Sequence, residues 1–157
     1  MAIACVGRLK EEYWRAAAQE YEKRLSRFGK IEILEVEDER APESLSPAER
    51  KKVMEKEGEK LLSRLMPRDH VIALTIEGKA YSSCGFAEFL EKLSHEGYTR
   101  IVFLIGGSLG LSEACVKRSD HQLSLSTMTM PHQLARVVLL EQVYRANKIQ
   151  NNETYHK

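Results

Sequence analysis

Residues 123–136 read LSLSTMTMPHQLAR, and where strand gives way to loop and loop to helix along them decides the fold. Leucine and serine alternate over Leu123, Ser124, Leu125 and Ser126, which is the period of a strand. Hydroxyl and thioether side chains then carry the alternation on through Thr127, Met128, Thr129 and Met130. A buried strand end has no use for four hydroxyls, because each one left without a partner costs about 1–3 kcal/mol. A binding loop at the carboxyl end of a strand does use them. There Leu125, Met128 and Met130 offer an apolar wall for a flat ring, and the hydroxyls face its polar edge. Pro131 suits a first helical position, and apolar residues at 134, 137, 138, 139, 140 and 143 carry the helix on to about Ile149.

Outward from this stretch the same grammar repeats. Ala2 to Val6 is a short apolar run and predicts a strand. Trp14, Ala17, Ala18, Tyr21, Leu25 and Phe28 recur at spacings of three and four, and Gly29 ends that helix. Ile31 to Val36 alternates with glutamates, predicting a strand with one wetter face near a sheet edge. A polar loop follows. Ser46-Pro47-Ala48-Glu49 then supplies a capping box with proline at the first helical position, for a helix running to about Met66, where Pro67 stops it. His70 to Ile76 predicts a third strand; Phe86, Phe89, Leu90 and Leu93 stripe a third helix; Arg100 to Ile105 is a fourth strand. Ser112 caps a short helix, and His121 to Leu125 is the fifth strand. Five β-α alternations imply an α/β fold, a mainly parallel five-stranded sheet flanked by helices, in one domain over 1–157.

Composition narrows the class. A chain of 157 residues with 43% apolar side chains buries a sizeable core without staples. The three cysteines, Cys5, Cys84 and Cys115, are odd in number and form no CxxC pair, which argues against a disulfide framework or a metal site and for a reducing compartment. The opening MAIACVGRLK reaches charge too soon for a signal segment, and no apolar run nears the roughly 18 residues of a membrane span, so a cytoplasmic protein is expected. A net charge of +1 excludes indiscriminate attraction to nucleic acid, leaving local basic groups such as Arg8, Lys10, Lys117, Arg118, Arg136, Lys148 and Lys157. The last helix is apolar over too wide an arc for one face, which predicts a second copy of the chain as its cover, a homodimer.

In a parallel sheet, ligands bind beyond the carboxyl ends of the strands. Three segments fall there: Leu74 to Gly78, Ile105 to Gly110, and Leu125 to Met130. Glycines at 106, 107 and 110 permit close backbone approach. Their spacing is not GxGxxG and no P-loop lysine follows, so the glycines alone fit a plain strand-to-helix turn better than a ligand loop, and it is their place after the fourth strand that tilts the balance.

Gly106-Gly107, the run from Ser124 to His132, and Glu141-Gln142-Val143-Tyr144-Arg145-Ala146 together resemble the C-terminal half of a SPOUT-type methyltransferase. Over its whole length, through Val6-Gly7, Lys56-Glu57-Gly58-Glu59, Gly78-Lys79 and Tyr155-His156-Lys157, the chain is similar to the small single-domain family that methylates N3 of a pseudouridine in large-subunit ribosomal RNA. The resemblance implies a C-terminal deep trefoil knot, a homodimer, and S-adenosylmethionine as methyl donor. It also implies cofactor contacts at Leu74, Gly106 and Leu125, Ser126, Thr127, Met128, Thr129 and Met130, and a 23S ribosomal RNA substrate within the ribosome or large subunit.

Methylating an imide nitrogen requires removal of its proton, hence a base or a water relay. His132, Tyr155 and His156 are the candidates. His132 adjoins the cofactor loop at a helix N-terminus, which disfavours its charged form. Tyr155 and His156 lie in a tail expected to add little to the core and to act by folding over the partner's site. Glu141, four residues before Arg145, fits an ion pair better. Two other readings stay open: a knotted enzyme acting on another acceptor such as a transfer-RNA ribose hydroxyl, and a non-enzymatic ribosome-associated nucleotide-binding module.

Overall fold

Alternate residues of the first strand face opposite layers, and this divides the core in two. In the computed structural model, which describes residues 1–98 and 100–155, β1 (Ala2–Val6) is buried at every position. Ile3 and Cys5 belong to one apolar cluster, Ala2, Ala4 and Val6 to the other. Around β1 the chain runs α1 (Glu12–Leu25), β2 (Glu32–Val36), α2 (Pro47–Leu62), β3 (Asp69–Ala80), α3 (Ser83–His95), β4 (Arg100–Ile105), α4 (Glu113–Arg118), β5 (His121–Ser124) and α5 (His132–Gln150). The sheet order is β2-β1-β4-β3-β5, and every pairing is parallel. Helices α1, α3 and α5 cover the Ile3 face, and α2 and α4 cover the Ala4 face.

The capping box is present: Ser46 Oγ accepts from the Glu49 amide, and Glu49 returns the bond to the Ser46 backbone. The helix it opens ends at Leu62, four residues short of Met66. Side chains beyond it capture its exit: Asp69 Oδ2 accepts from the Met66 amide at 2.7 Å, and Arg100 donates to the Arg64 carbonyl at 3.2 Å. β2 is an edge strand, as its pattern predicts, but its glutamates do not simply face water. Glu32 meets Arg100 at 3.2 Å and Glu35 meets Arg136 at 2.7 Å.

β3 extends four residues past Ile76. Its register with β5 slips between Leu74 and Lys79, both opposite Leu123. Gly78 makes this crossing possible, since a side chain there would lie 2.6 Å from the Leu123 backbone carbon. The tail also departs from expectation. Tyr155 packs against the larger core cluster, edge-on to Tyr144 at 4.9 Å, and the Arg145 guanidinium lies 4.7 Å from its ring centre. Glu153 pairs with Arg27 and Lys148, so the chain is folded back along α5.

Candidate functional site

The three segments beyond the strand ends converge on one cleft of about 500 Å³. Leu74 to Glu77 form one wall, and Ile105 to Leu111 form the second. Leu125, Ser126, Met128, Thr129 and Met130 form the third, and His132 and Ala135 close it from the first turn of α5. Thr127 does not line the cleft; it is exposed on the outer side of the loop.

The glycine wall is shaped by its own closure. Gly110 donates its amide to the Gly107 carbonyl at 3.1 Å and adopts φ +90°. A side chain on Gly106 would overlap the backbone of Gly110 and lie 2.7 Å from the Leu111 nitrogen. Glycine is therefore required at 106 because the loop approaches itself, where the sequence points only to approach by a ligand.

Two of the four hydroxyls between Ser124 and Thr129 build the loop. Ser124, 4% exposed, donates to the Ser126 carbonyl at 3.0 Å, and Ser126 Oγ accepts from the Met128 amide at 3.0 Å. Pro131 is the N-cap of α5, one position before its first helical residue, and no side chain caps that helix.

His132 is half-buried at the rim. Burial, then the nearby Arg136 charge, hold its pKa below the usual histidine value, while Asp38 opposes them more weakly. Its imidazole is thus neutral near pH 7 and available to accept a proton. Tyr155 is placed elsewhere in this chain. It donates to Glu141 at 3.1 Å, and the α5 residues it touches lie nine to thirteen positions beyond His132, roughly 14–20 Å along the axis. Burial pushes its phenol up to about 12, so it keeps its proton at neutral pH. His156 lies outside the described residues. Glu141 pairs with Arg145 at 2.5 Å, as its spacing predicts.

Of the basic groups, Arg8 and Lys10 are exposed beside the end of β1. Arg136 and Lys148 are not surface charges: they are 2% and 9% exposed and ion-paired. Sequence reasoning missed Glu57, a buried carboxylate under the glycine wall. Its Oε1 accepts from the Glu39 amide at 3.0 Å, and its Oε2 would lie 2.7 Å from any side chain placed on Gly107. Nothing in its helical spacing sets it apart from the exposed glutamates around it. Among the described residues there is no cluster of three or more groups fit to hold a metal ion, and no helix long and apolar enough to cross a membrane.

Comparison with known proteins bears on this cleft. The family described as "Predicted SPOUT methyltransferase" matches residues 1–156. A protein of Ruminiclostridium cellulolyticum is 53% identical over 157 residues, covering 100% of this chain and 99% of its own length. A protein of Limosilactobacillus reuteri is 55% identical over 155 residues, 99% of this chain and 98% of its own. One from Lactobacillus delbrueckii subsp. bulgaricus is 50% identical over 155 residues, with the same coverage. Each of the three is named ribosomal RNA large subunit methyltransferase H.

Proposed function

The chain belongs to the SPOUT methyltransferase family, and from that premise we propose that it methylates N3 of a pseudouridine in 23S ribosomal RNA of the large subunit, using S-adenosylmethionine. The observation that carries the reading is the convergence of the three strand-end loops on one cleft, in a chain at least half identical over nearly its full length to large-subunit RNA methyltransferases.

The cleft fits the proposed cofactor. Its volume lies in the range of about 300–1,000 Å³ usual for small-molecule sites, with apolar walls from Leu74, Ile105, Leu111, Leu125 and Met130 against a ring and thioether. The backbone around Gly106 and from Leu125 to Met130 would hold it. When bound, it supplies an electrophilic methyl group on a sulfonium. This chain's own residues orient the acceptor and exclude water, and His132 takes up the acceptor's N–H proton at the rim.

A knot and a homodimer complete the proposal. Membership of the SPOUT family supports the first. Leu134 and Val138 support the second: both are half-buried on α5, neither belongs to a core cluster, and Ile76 (51% exposed) and Met128 (75%) stand exposed on the cleft's walls. In a dimer, Tyr155 and His156 act at the partner's cleft, since Tyr155 in its own chain lies along α5 away from it. Assembled ribosomes or large subunits are the substrate expected of a nearly neutral chain, which would recognise a structured particle by shape rather than bind any RNA avidly.

The test is methyl transfer from labelled S-adenosylmethionine to large subunits from cells lacking the gene, followed by mass spectrometry of the RNA. One methyl group gained on a pseudouridine base is expected. Label on a ribose, on transfer RNA or on nothing would overturn the assignment.

A further inference from the structure

We propose that Arg136 is a positioning residue for the methyl-transfer step: its guanidinium ties the first turn of α5 to the ends of β1 and β2 and thereby seats His132 at the cleft. The inference rests on the function proposed above.

Arg136 is 2% exposed, among the largest fully buried side chains of the molecule. Its Nη2 donates to the Gly7 carbonyl at 2.7 Å, and its Nη1 pairs with Glu35 Oε1 at 2.7 Å. These partners lie 129 and 101 residues away in sequence, one in the turn after β1 and one near the end of β2. A planar fork holds two such acceptors in fixed relation, which a point charge on a flexible stem does not. Gly7 adopts φ +77°, and a side chain there would lie 3.5 Å from His132 Nε2. The carbonyl of Gly7 is thus gripped by Arg136 while its α-carbon forms the floor under the imidazole. His132 and Arg136 are four residues apart, on one face of the helix.

A purely structural origin for this arrangement is poorly motivated. Buried ion pairs are seldom net stabilising against apolar side chains of similar volume. The guanidinium is also incompletely satisfied, since Nε has no hydrogen-bond partner among the described residues. What the clamp does achieve is geometric. The loop over Leu125 to Met130 runs directly into the turn that Arg136 anchors, so cleft wall and imidazole are held to the sheet together. The charged groups facing His132 are Arg136 on its own helix, Asp38 beyond β2 and Lys10 beyond β1, and Lys10 pairs with Asp38 at 3.5 Å. With Asp38 partly neutralised, Arg136 is the charge that most disfavours the protonated imidazole.

The experiment uses full-length Arg136→Lys and Arg136→Met, each measured for melting temperature, for kcat and KM in methyl transfer to large subunits, and for the His132 titration by NMR. Arg136→Lys keeps the charge near Glu35 but cannot span both acceptors. It is expected to fold and to lose on the order of tenfold or more in kcat, with a smaller change in KM for RNA. Arg136→Met removes a positive charge beside the imidazole, so the His132 midpoint should rise and the acid limb of the rate profile should move to higher pH. Wild-type kcat in Arg136→Lys would overturn the proposal. So would a His132 midpoint unchanged in Arg136→Met or, should that variant not fold, unchanged in Glu35→Gln, where loss of the pairing carboxylate leaves Arg136 the stronger charge and the midpoint should fall. The titration needs no substrate, so it stands even if wild-type protein proves inactive on ribosomes, an outcome that would count against the functional reading alone.

Discussion

At Gly106 the reason for glycine lies within the loop. Any β-carbon there meets the backbone of Gly110 and Leu111, and backbone cannot swing aside as a flexible side chain can. Gly106→Val should therefore open the turn that Gly107 and Gly110 close. Because Gly106 to Gly110 line one wall of the cleft and belong to neither core cluster, the variant should stay folded with a modestly lower melting temperature. Its affinity for S-adenosylmethionine should fall by at least about 1.4 kcal/mol, tenfold. Calorimetric titration returning wild-type affinity would remove this loop from the proposed cofactor site. At Gly107 the obstacle is different: a β-carbon there would lie 2.7 Å from the Glu57 carboxylate and 3.1 Å from Val6, so a larger residue requires that buried side chain to shift.

Among the elements, α5 and the segment folded back on it depart most from expectation. Three of its apolar residues, Leu139, Leu140 and Val143, are at most 1% exposed under the cover of this chain alone, and Val137 packs on the same core. Only Leu134 and Val138 remain of the wide arc that the sequence presents. The segment after α5 is equally well engaged, since Tyr155 places its ring on Tyr144 and its hydroxyl on Glu141. Tyr155→Ala should cost about 2 kcal/mol of stability, from a half-buried ring, an aromatic pair and a hydrogen bond. Denaturant unfolding checks this. A loss below about 0.5 kcal/mol would mean that the ring is held only loosely against α5.

For the whole molecule, assembly and pH response follow from what is half-covered and what is buried. Val138→Glu places a charge on the exposed part of α5, so it should convert a dimer to monomers that remain folded. Leu139→Glu would instead unfold the core, being 0% exposed, and says nothing about assembly. Sedimentation velocity at micromolar concentration separates the cases, and a monomeric wild type would end the dimer proposal. The pH prediction concerns His70, 4% exposed, whose ring lies tilted against Tyr98 at 4.1 Å and sits 3.8 Å from Asp120. Burial lowers its pKa below the ordinary 6.5 despite Asp120, so the unfolded chain takes up a proton there before the folded one does. Its contribution to stability is full above pH 6.5 and is lost as the pH falls below it. The stability of His70→Gln relative to wild type should therefore improve between pH 7.5 and 5.5, as urea midpoints at the two pH values would reveal. A constant difference would contradict it.

Periodicity and capping by themselves determined the five strands and five helices, the parallel sheet and the three loops that meet at the cleft. These features are local: a run of β-branched residues, a serine three before a glutamate, a glycine after a strand. The resemblance carried by Gly106-Gly107, the Ser124 to His132 run and the Glu141 to Ala146 run named the family. What only the tertiary structure decided depends on residues far apart in the chain. Arg136 reads as a surface base until Glu35 and Gly7, over a hundred residues away, are found to enclose it. Ser124 and Ser126 read as ligand contacts until their hydroxyls are seen to fold their own loop. Glu57 is indistinguishable from its helical neighbours until Gly107 comes to rest against it. A polar side chain keeps the same spacing whether it meets water, backbone or ligand, and only the partner that the fold delivers sets its role.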